Sequence, residues 1–176
     1  AQQCFRFLRR CCDELVSHRS VPDREIQAAI EFAINVLSLK DANTTEINPK
    51  TKNPIIHEIE SQKELLKYHN LGGTQRLGSW DWKAKKGTKF AKSYKSTTGS
   101  DRHRHRYEFN NDYREKFEKK GMIISATTTD DQLVEALELE DHPFFVGVQF
   151  HPELKSRPMS PHPLYMSFME AVSKQK

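Results

Sequence analysis

Apolar residues recur at helical spacing in two parts of the chain. In the first part they stand at Ile26, Ala29, Ile30, Ala33, Val36 and Leu37. This spacing puts the apolar side chains on one face of a helix, and the preceding Pro22 and Asp23 are typical of a helix start. We therefore predict a helix over residues 23–38. A C-terminal helix is predicted from the apolar positions Leu164, Phe168, Met169 and Val172.

Strand-like patterns occupy much of the remaining sequence. Three runs, at 122–127, 133–139 and 144–150, predict strands, and the third is nearly all apolar, as in a strand covered on both faces. Residues 102–109 alternate in a β pattern, with Arg and His on opposite faces over 102–106, which predicts a strand. The lysine-rich residues 83–100 lack a clear period, so we expect an exposed hairpin or loop there.

The order helix, strands, helix favours an α/β fold, and 176 residues is the length of one domain. Residues 1–21 fit no pattern found downstream and are left unassigned, so the domain is placed at 22–176. Apolar residues make up about 37% of the chain when Gly is counted in place of Tyr, below the usual 45–50%. This deficit indicates either a highly polar surface or a chain that is part of a larger protein, and we favour the second.

Charge and cysteine content restrict the cellular setting. The net charge is +4, and residues 83–106 hold nine Lys and Arg against one acid. No apolar run approaches the roughly 18–20 residues that span a bilayer, and no signal-peptide pattern is recognised. The three cysteines, Cys4, Cys11 and Cys12, are an odd number in one short stretch, which favours reduced thiols. We therefore expect a cytoplasmic protein without a membrane partner.

The strongest candidate for chemistry is the tripeptide His151-Pro152-Glu153, directly after the predicted strand 144–150. The carboxyl ends of strands are where α/β proteins place their sites. Pro152 biases His151 toward an extended backbone, so the imidazole and the carboxylate are held in a defined relation. A His oriented by a Glu is the base half of a nucleophilic triad. The alternative is a solvent-facing His in a turn.

Two further segments have several interpretations from residue types alone. The stretch Arg102–Glu108 could be a solvated basic strand, a nucleic-acid patch, or a strand with one Arg that clamps a small carboxylate. The segment Asn43-Thr44-Thr45-Glu46 is, by itself, a turn. The interpretation of each segment changes when the segments are considered together with the rest of the sequence.

Five segments occur in the order of one known family. They are Lys40–Glu46, Gly72–Gly78, Arg102–Asn111, Asp131–Glu135 and Val148–Pro158. They closely resemble the glutaminase domain of CTP synthases, a class I amidotransferase, over about residues 26–172. The His-Pro-Glu tripeptide is shared by class I amidotransferases, whereas the RHRHRYE and GGT-x-RLG stretches are specific to CTP synthases. The resemblance implies part of a class I glutamine amidotransferase-like sandwich, a flavodoxin-like sheet with flanking helices.

The resemblance also implies residue roles. It assigns His151 as general base and acid, Glu153 as its orienting partner, Glu46 as a contact of bound L-glutamine, and Arg106 as the holder of the glutamine α-carboxylate. We expect Arg106 and Glu46 within roughly 10 Å of His151, the span of three extended residues.

No metal or cofactor site is implied for these residues. ATP and Mg²⁺ belong to the family's synthase domain, which is not among them. That domain, which aminates UTP to CTP with the released ammonia, is the implied partner, and the full-length family forms homo-oligomers. No nucleic-acid partner is implied.

One departure from the family concerns the nucleophile. The family places a Gly-x-Cys-x-Gly elbow before the helix predicted at 23–38, and alignment on Glu46 puts Pro22 at the Cys position. Proline offers neither a nucleophile nor an N–H for an oxyanion. We therefore expect no glutaminase activity from this chain alone. Two alternatives are a non-catalytic pseudo-amidotransferase interaction module and a basic RNA-binding domain.

Overall fold

The computed structural model describes residues 24–58 and 76–174, in which groups of two or three strands are separated by helices. The elements are α1 (Arg24–Asn35), β1 (Ala42–Thr44), β2 (Asn53–Glu58), β3 (Arg76–Ala84), α2 (Lys89–Tyr94), β4 (Thr98–His105), β5 (Tyr107–Phe109), α3 (Arg114–Glu118), β6 (Met122–Thr128), β7 (Val134–Leu139), β8 (Val146–Val148) and α4 (Pro163–Ser173). Two 3₁₀ turns, Asn111–Tyr113 and Pro152–Leu154, precede α3 and follow β8.

The strands form two sheets, and the chain passes between them at one residue. One sheet has the order β1-β2-β5, and the other has the order β4-β3-β6-β7-β8. The β1–β2 pair is parallel, and the other pairs among the described strands are antiparallel. Because β4 ends at His105 and β5 begins at Tyr107, Arg106 is the residue at which the chain changes sheets.

The first core is built on α1, as its apolar spacing predicts. Ala29, Phe32 and Ala33 are buried against residues of β2, β5, α3, β6 and β7. The helix ends at Asn35 instead of residue 38, and Ser38 has a positive φ of 59°. Val36 and Leu37 still pack against this core, so the apolar period continues past the last helical turn.

The second core shows that the prediction for residues 83–100 is wrong in part. β3 and β4 do form a hairpin, but its connection contains α2, and Phe90 of that helix is fully buried against Trp82. Thr88 caps the helix by accepting from Ala91 N at 3.2 Å. The carboxylate of Glu138 on β7 accepts from Lys89 N at 3.0 Å and Phe90 N at 3.1 Å. The helix depends on contacts with side chains of β3 and β7, which its own short sequence does not record.

The predicted strands near the C-terminus are confirmed with one difference. β6 and β7 match the predicted runs closely, and all residues of β7 are buried. β8 is shorter than predicted and half-buried instead of covered on both faces. The physical reason is its place at the end of the strand order in the described sheet.

A glycine-to-alanine change on β4 tests the second core. A Cβ built on Gly99 would overlap Trp82 Cζ2, and the buried indole is packed against Phe90 and Tyr94. We expect Gly99→Ala to lower the free energy of unfolding by about 1–3 kcal/mol because the site becomes overpacked. Urea denaturation measures the change, with Thr98→Ala on the exposed part of the same strand as control. Equal stability of the two variants would contradict this packing.

Candidate active site

The His151–Glu153 pair has the geometry that the sequence predicts. His151 is extended, with φ −106° and ψ 92°, and the 3₁₀ turn Pro152–Leu154 follows it. This turn brings Glu153 Oε1 to 2.8 Å from His151 Nδ1. The backbone N–H of His151 donates to the carbonyl oxygen of Arg102 at 2.8 Å, which joins the pair to β4. The imidazole is thus fixed by one side-chain and one backbone contact.

The second ring nitrogen of His151 is available for chemistry. A carboxylate can only accept, so the contact with Glu153 places the ring proton on Nδ1 and the lone pair of a neutral ring on Nε2. Nε2 is buried and has no hydrogen-bond partner among the described residues. A His in this state can take a proton from a group placed opposite Nε2.

The stretch from Arg102 to Glu108 alternates as predicted up to His105. His103 and His105 are buried, whereas Arg102 and Arg104 are exposed. The alternation stops at Arg106, so the expectation that a continuous strand over 102–109 delivers this side chain is wrong. The reason is the change of sheets: β4 pairs with β3, whereas β5 pairs with β2. Arg106 is half-buried, and its Nε is a buried atom without a hydrogen-bond partner in the described part of the chain.

Glu46 lies at the same sheet edge as Arg106. It follows β1, and its backbone N–H donates to Thr44 Oγ1 at 3.2 Å. Because β1 and β2 are parallel and β5 runs against β2, the ends of β1 and β2 meet the start of β5. Burial raises the pKa of Tyr107, the acids Glu58 and Glu46 raise it further, and Arg106 lowers it. Glu46 and Arg106 therefore both lie close enough to Tyr107 to change its pKa, in opposite directions.

His151 adjoins this region through β4, where it contacts Arg102. Burial lowers the pKa of His105 to about 3, and electrostatic interactions with His103, Arg76 and His151 lower it further. The structure thus joins His151 to the strand that precedes Arg106. The expectation that Arg106 and Glu46 lie within roughly 10 Å of His151 stays a prediction.

A buried cluster of charged side chains on β3, β5 and β7 was not predicted. Arg76 donates to Glu108 Oε1 at 3.2 Å and to Glu135 Oε1 at 2.5 Å, and all three side chains are at most 2% exposed. Burial raises the pKa of Glu108 to about 8, while Arg76 lowers it and Glu135 raises it. The charge pattern of β7, in which Glu135 interrupts an apolar run, was the available signal.

Similarity to known proteins extends over most of the chain. A family model described as "Glutamine amidotransferase class-I" matches residues 28–171, which include all four predicted site residues. This chain belongs to the class I glutamine amidotransferase family. The matched range agrees with the predicted extent of the resemblance.

Curated relatives of this amidotransferase chain are CTP synthases. The enzyme of Caldanaerobacter subterraneus subsp. tengcongensis is 51% identical over 145 residues, which are 82% of this chain and 26% of the relative. The enzyme of Aquifex aeolicus is 49% identical over 148 residues, 84% of this chain and 27% of the relative. The chain thus spans about a quarter of the length of these relatives.

A solved structure confirms the predicted α/β amidotransferase fold. It is the Trypanosoma brucei CTPS glutaminase domain with bound acivicin, which superposes with a TM-score of 0.77 at 38% identity. The match covers 85% of this chain and 57% of that chain. The predicted resemblance to the glutaminase domain of CTP synthases is therefore confirmed.

A second buried cluster, also not predicted, holds the segment that follows the His-Pro-Glu tripeptide in this amidotransferase chain. The carboxylate of Asp101 accepts from Trp82 Nε1 at 2.9 Å and from Tyr94 OH at 2.7 Å. His162 Nε2 lies 3.3 Å from Asp101 Oδ1, and Lys155 Nζ lies 3.4 Å from the same oxygen. The segment from His151 to the start of α4 is thus attached to β4 at both ends.

Several predictions from the sequence are not tested by the structure. Pro22, the predicted nucleophile position, lies outside the described residues. In residues 24–58 and 76–174, no group of three or more His, Cys, Asp or Glu side chains is arranged to hold a metal ion. Within the same residues, no helix is long and apolar enough to cross a membrane. The cytoplasmic location and the domain bounds stay predictions.

The Asp101 cluster gives a pH-dependent stability prediction. Burial by itself would raise the pKa of Asp101, but the hydrogen bonds from His162, Tyr94 and Trp82 and the charge of Lys155 outweigh it and lower the pKa below 3.8. A lowered folded-state pKa contributes stability above the unfolded value, and this stability is lost as pH falls through the folded value. We expect Asp101→Asn to cost about 1–3 kcal/mol at pH 7 and much less near pH 3.

Urea denaturation at both pH values measures this difference. Asp81→Asn is the matched control, because Asp81 is exposed on the neighbouring strand β3. A loss for Asp101→Asn that is the same at pH 7 and pH 3 would show that the charge of Asp101 contributes nothing to stability.

Proposed function

We propose that this chain is the L-glutamine-binding and base-carrying part of a CTP synthase glutaminase site. The observation that supports it most is the His151–Glu153 pair at 2.8 Å, whose buried Nε2 has no partner among the described residues. In this proposal His151 Nε2 is placed where a base would take the proton of an attacking thiol and return it to the leaving ammonia, and Glu153 keeps the proton on Nδ1.

The binding half of the proposal assigns Arg106 and Glu46 to glutamine. A free amino acid carries one carboxylate and one ammonium group, so a pocket for it needs a cation and an acid. Arg106 has a buried Nε without a hydrogen-bond partner in the described residues, which a carboxylate can satisfy. Glu46 is exposed at the same sheet edge and supplies the negative charge.

The chemistry after ammonia release belongs to the longer relatives. We propose that ammonia from this site passes to a synthase domain, which uses ATP and Mg²⁺ to aminate UTP to CTP in a homo-oligomeric enzyme. In this chain the family position of the thiol is Pro22, so the base has no nucleophile to activate. The chain would then bind glutamine without hydrolysing it, as a pseudo-amidotransferase would.

An RNA-binding function has less support. His103 and His105 of the basic stretch are buried, and Lys89 Nζ donates to the carbonyl oxygens of Leu139 and Glu140 at 2.9 Å each. Lys85 Nζ lies 3.6 Å from Glu118 Oε1. These contacts divide the cations among separate partners, whereas phosphate binding needs them on one accessible face.

The missing thiol predicts the outcome of an activity assay. We expect no ammonia release from L-glutamine even at high protein concentration, because Pro22 cannot form a thioester. Coupled glutamate dehydrogenase measures the ammonia. Release that disappears in His151→Ala would contradict the prediction and direct attention to Cys4, Cys11 and Cys12.

The role of Arg106 is tested by binding. We expect the chain to bind L-glutamine more tightly than 4-aminobutanamide, which lacks the α-carboxylate, and Arg106→Met to abolish the preference. A bidentate charge-assisted contact of this kind corresponds to a loss of roughly tenfold or more in affinity. Isothermal titration calorimetry measures both ligands, with Arg104→Met as control because Arg104 is exposed on β4. A preference that survives in Arg106→Met would refute the assignment.

A further inference from the structure

A row of hydrogen-bonding groups runs from β7 to the turn that carries Arg106. His103 Nε2 lies 3.1 Å from Glu135 Oε2, and His103 Nδ1 lies 2.8 Å from His105 Nε2. His105 Nδ1 in turn lies 3.1 Å from the carbonyl oxygen of Tyr107. The three ionisable side chains are buried. The row therefore ends on the residue that directly follows Arg106.

The chemistry of these groups fixes where the protons are. A carbonyl oxygen only accepts, so the contact with Tyr107 requires the proton on His105 Nδ1. Glu108 Oε1, at 3.4 Å from the same nitrogen, is a second acceptor on this side. The low pKa of about 3 keeps the His105 ring neutral near pH 7, so its Nε2 is an acceptor. His103 must therefore donate from Nδ1.

The far end of the row requires one more proton. His103 Nε2 and Glu135 Oε2 are buried and lie 3.1 Å apart, and neither has a hydrogen-bond partner among the described residues. Glu135 Oε1 already accepts from Arg76. Two lone pairs at 3.1 Å would repel each other, so we expect one of these two facing atoms to carry a proton.

We propose that the contact from His105 to Tyr107, at the end of this row, is the positioning device for Arg106, because it closes the turn that aims the guanidinium at the glutamine carboxylate. The inference rests on the proposed function, which assigns that carboxylate to Arg106. Arg106 lies in neither β4 nor β5, so the hydrogen bonds of these strands do not hold its backbone in place. The contact from His105 Nδ1 to Tyr107 O instead links the residues directly before and after Arg106. A misplacement of about 1 Å at such a clamp is enough to weaken it strongly.

Two variants of His105 separate positioning from packing. His105→Asn places an amide N–H near the position of Nδ1, whereas His105→Phe keeps the ring volume and removes both nitrogens. We expect His105→Phe to weaken L-glutamine binding roughly tenfold or more and His105→Asn to stay within about threefold of the unaltered chain. The affinity for 4-aminobutanamide, which has no carboxylate for Arg106, should be the same in all three. Titration calorimetry measures these affinities, and circular dichroism checks folding.

Nitrogen-15 NMR of the unaltered chain tests the proton order directly and does not depend on a folded variant. At pH 7 we expect His105 to be protonated at Nδ1 and unprotonated at Nε2, with the ring assigned by its loss in His105→Asn. A proton on Nε2 instead, or wild-type glutamine affinity in His105→Phe, would overturn the positioning role. Failure of the unaltered chain to bind glutamine would overturn the proposed function, and the ring protonation would then still decide whether the row exists.

Discussion

The buried hydrogen bonds of Arg76 hold together the place where the two sheets meet. Its guanidinium joins β3 to β5 through Glu108 and to β7 through Glu135. Removing one member of such a buried set leaves an uncompensated charge, which typically costs about 3–5 kcal/mol. Apolar residues of equal volume could match the stability, but they would lack the directed donors and acceptors that fix one angle at the joint. The proposed glutamine clamp, Arg106, sits on this joint, so the geometry of the site depends on a group outside it.

The sequence predicted the elements whose apolar residues follow a local period. α1, β6, β7 and α4 all contain such runs; the bounds of the first three differ from the predictions by a few residues, and α4 contains the four predicted apolar positions. α2 was missed because its stabilising partners lie on two strands outside the helix, Trp82 on β3 and the sequence-distant Glu138 on β7. The break at Arg106 was missed for a related reason. The alternation of residue types continues through it, and only the choice of strand partners reveals the change of sheets.

The residues of the candidate site differ in how far the sequence predicted them. The contact between His151 and Glu153 follows from their spacing and from Pro152, so residue types were sufficient. The roles of Glu46 and Arg106 came from family resemblance, because neither segment has a distinctive chemistry by itself. Arg76, Asp101 and Glu135 were missed since a charged residue in a sequence is normally read as exposed. Their burial depends on partners that a single sequence does not identify.

The two acids of β7 set limits on how this strand can change. Glu135 binds Arg76, and Glu138, three positions later and on the opposite face, accepts the first N–H groups of α2. A slip of one residue would exchange the faces, moving each carboxylate away from its partner and into the other core. Insertions or deletions within β7 should therefore be eliminated during evolution, whereas the exposed turn at residues 129–132 can change in length. The strand's alignment is thus specified by charge as well as by apolar packing.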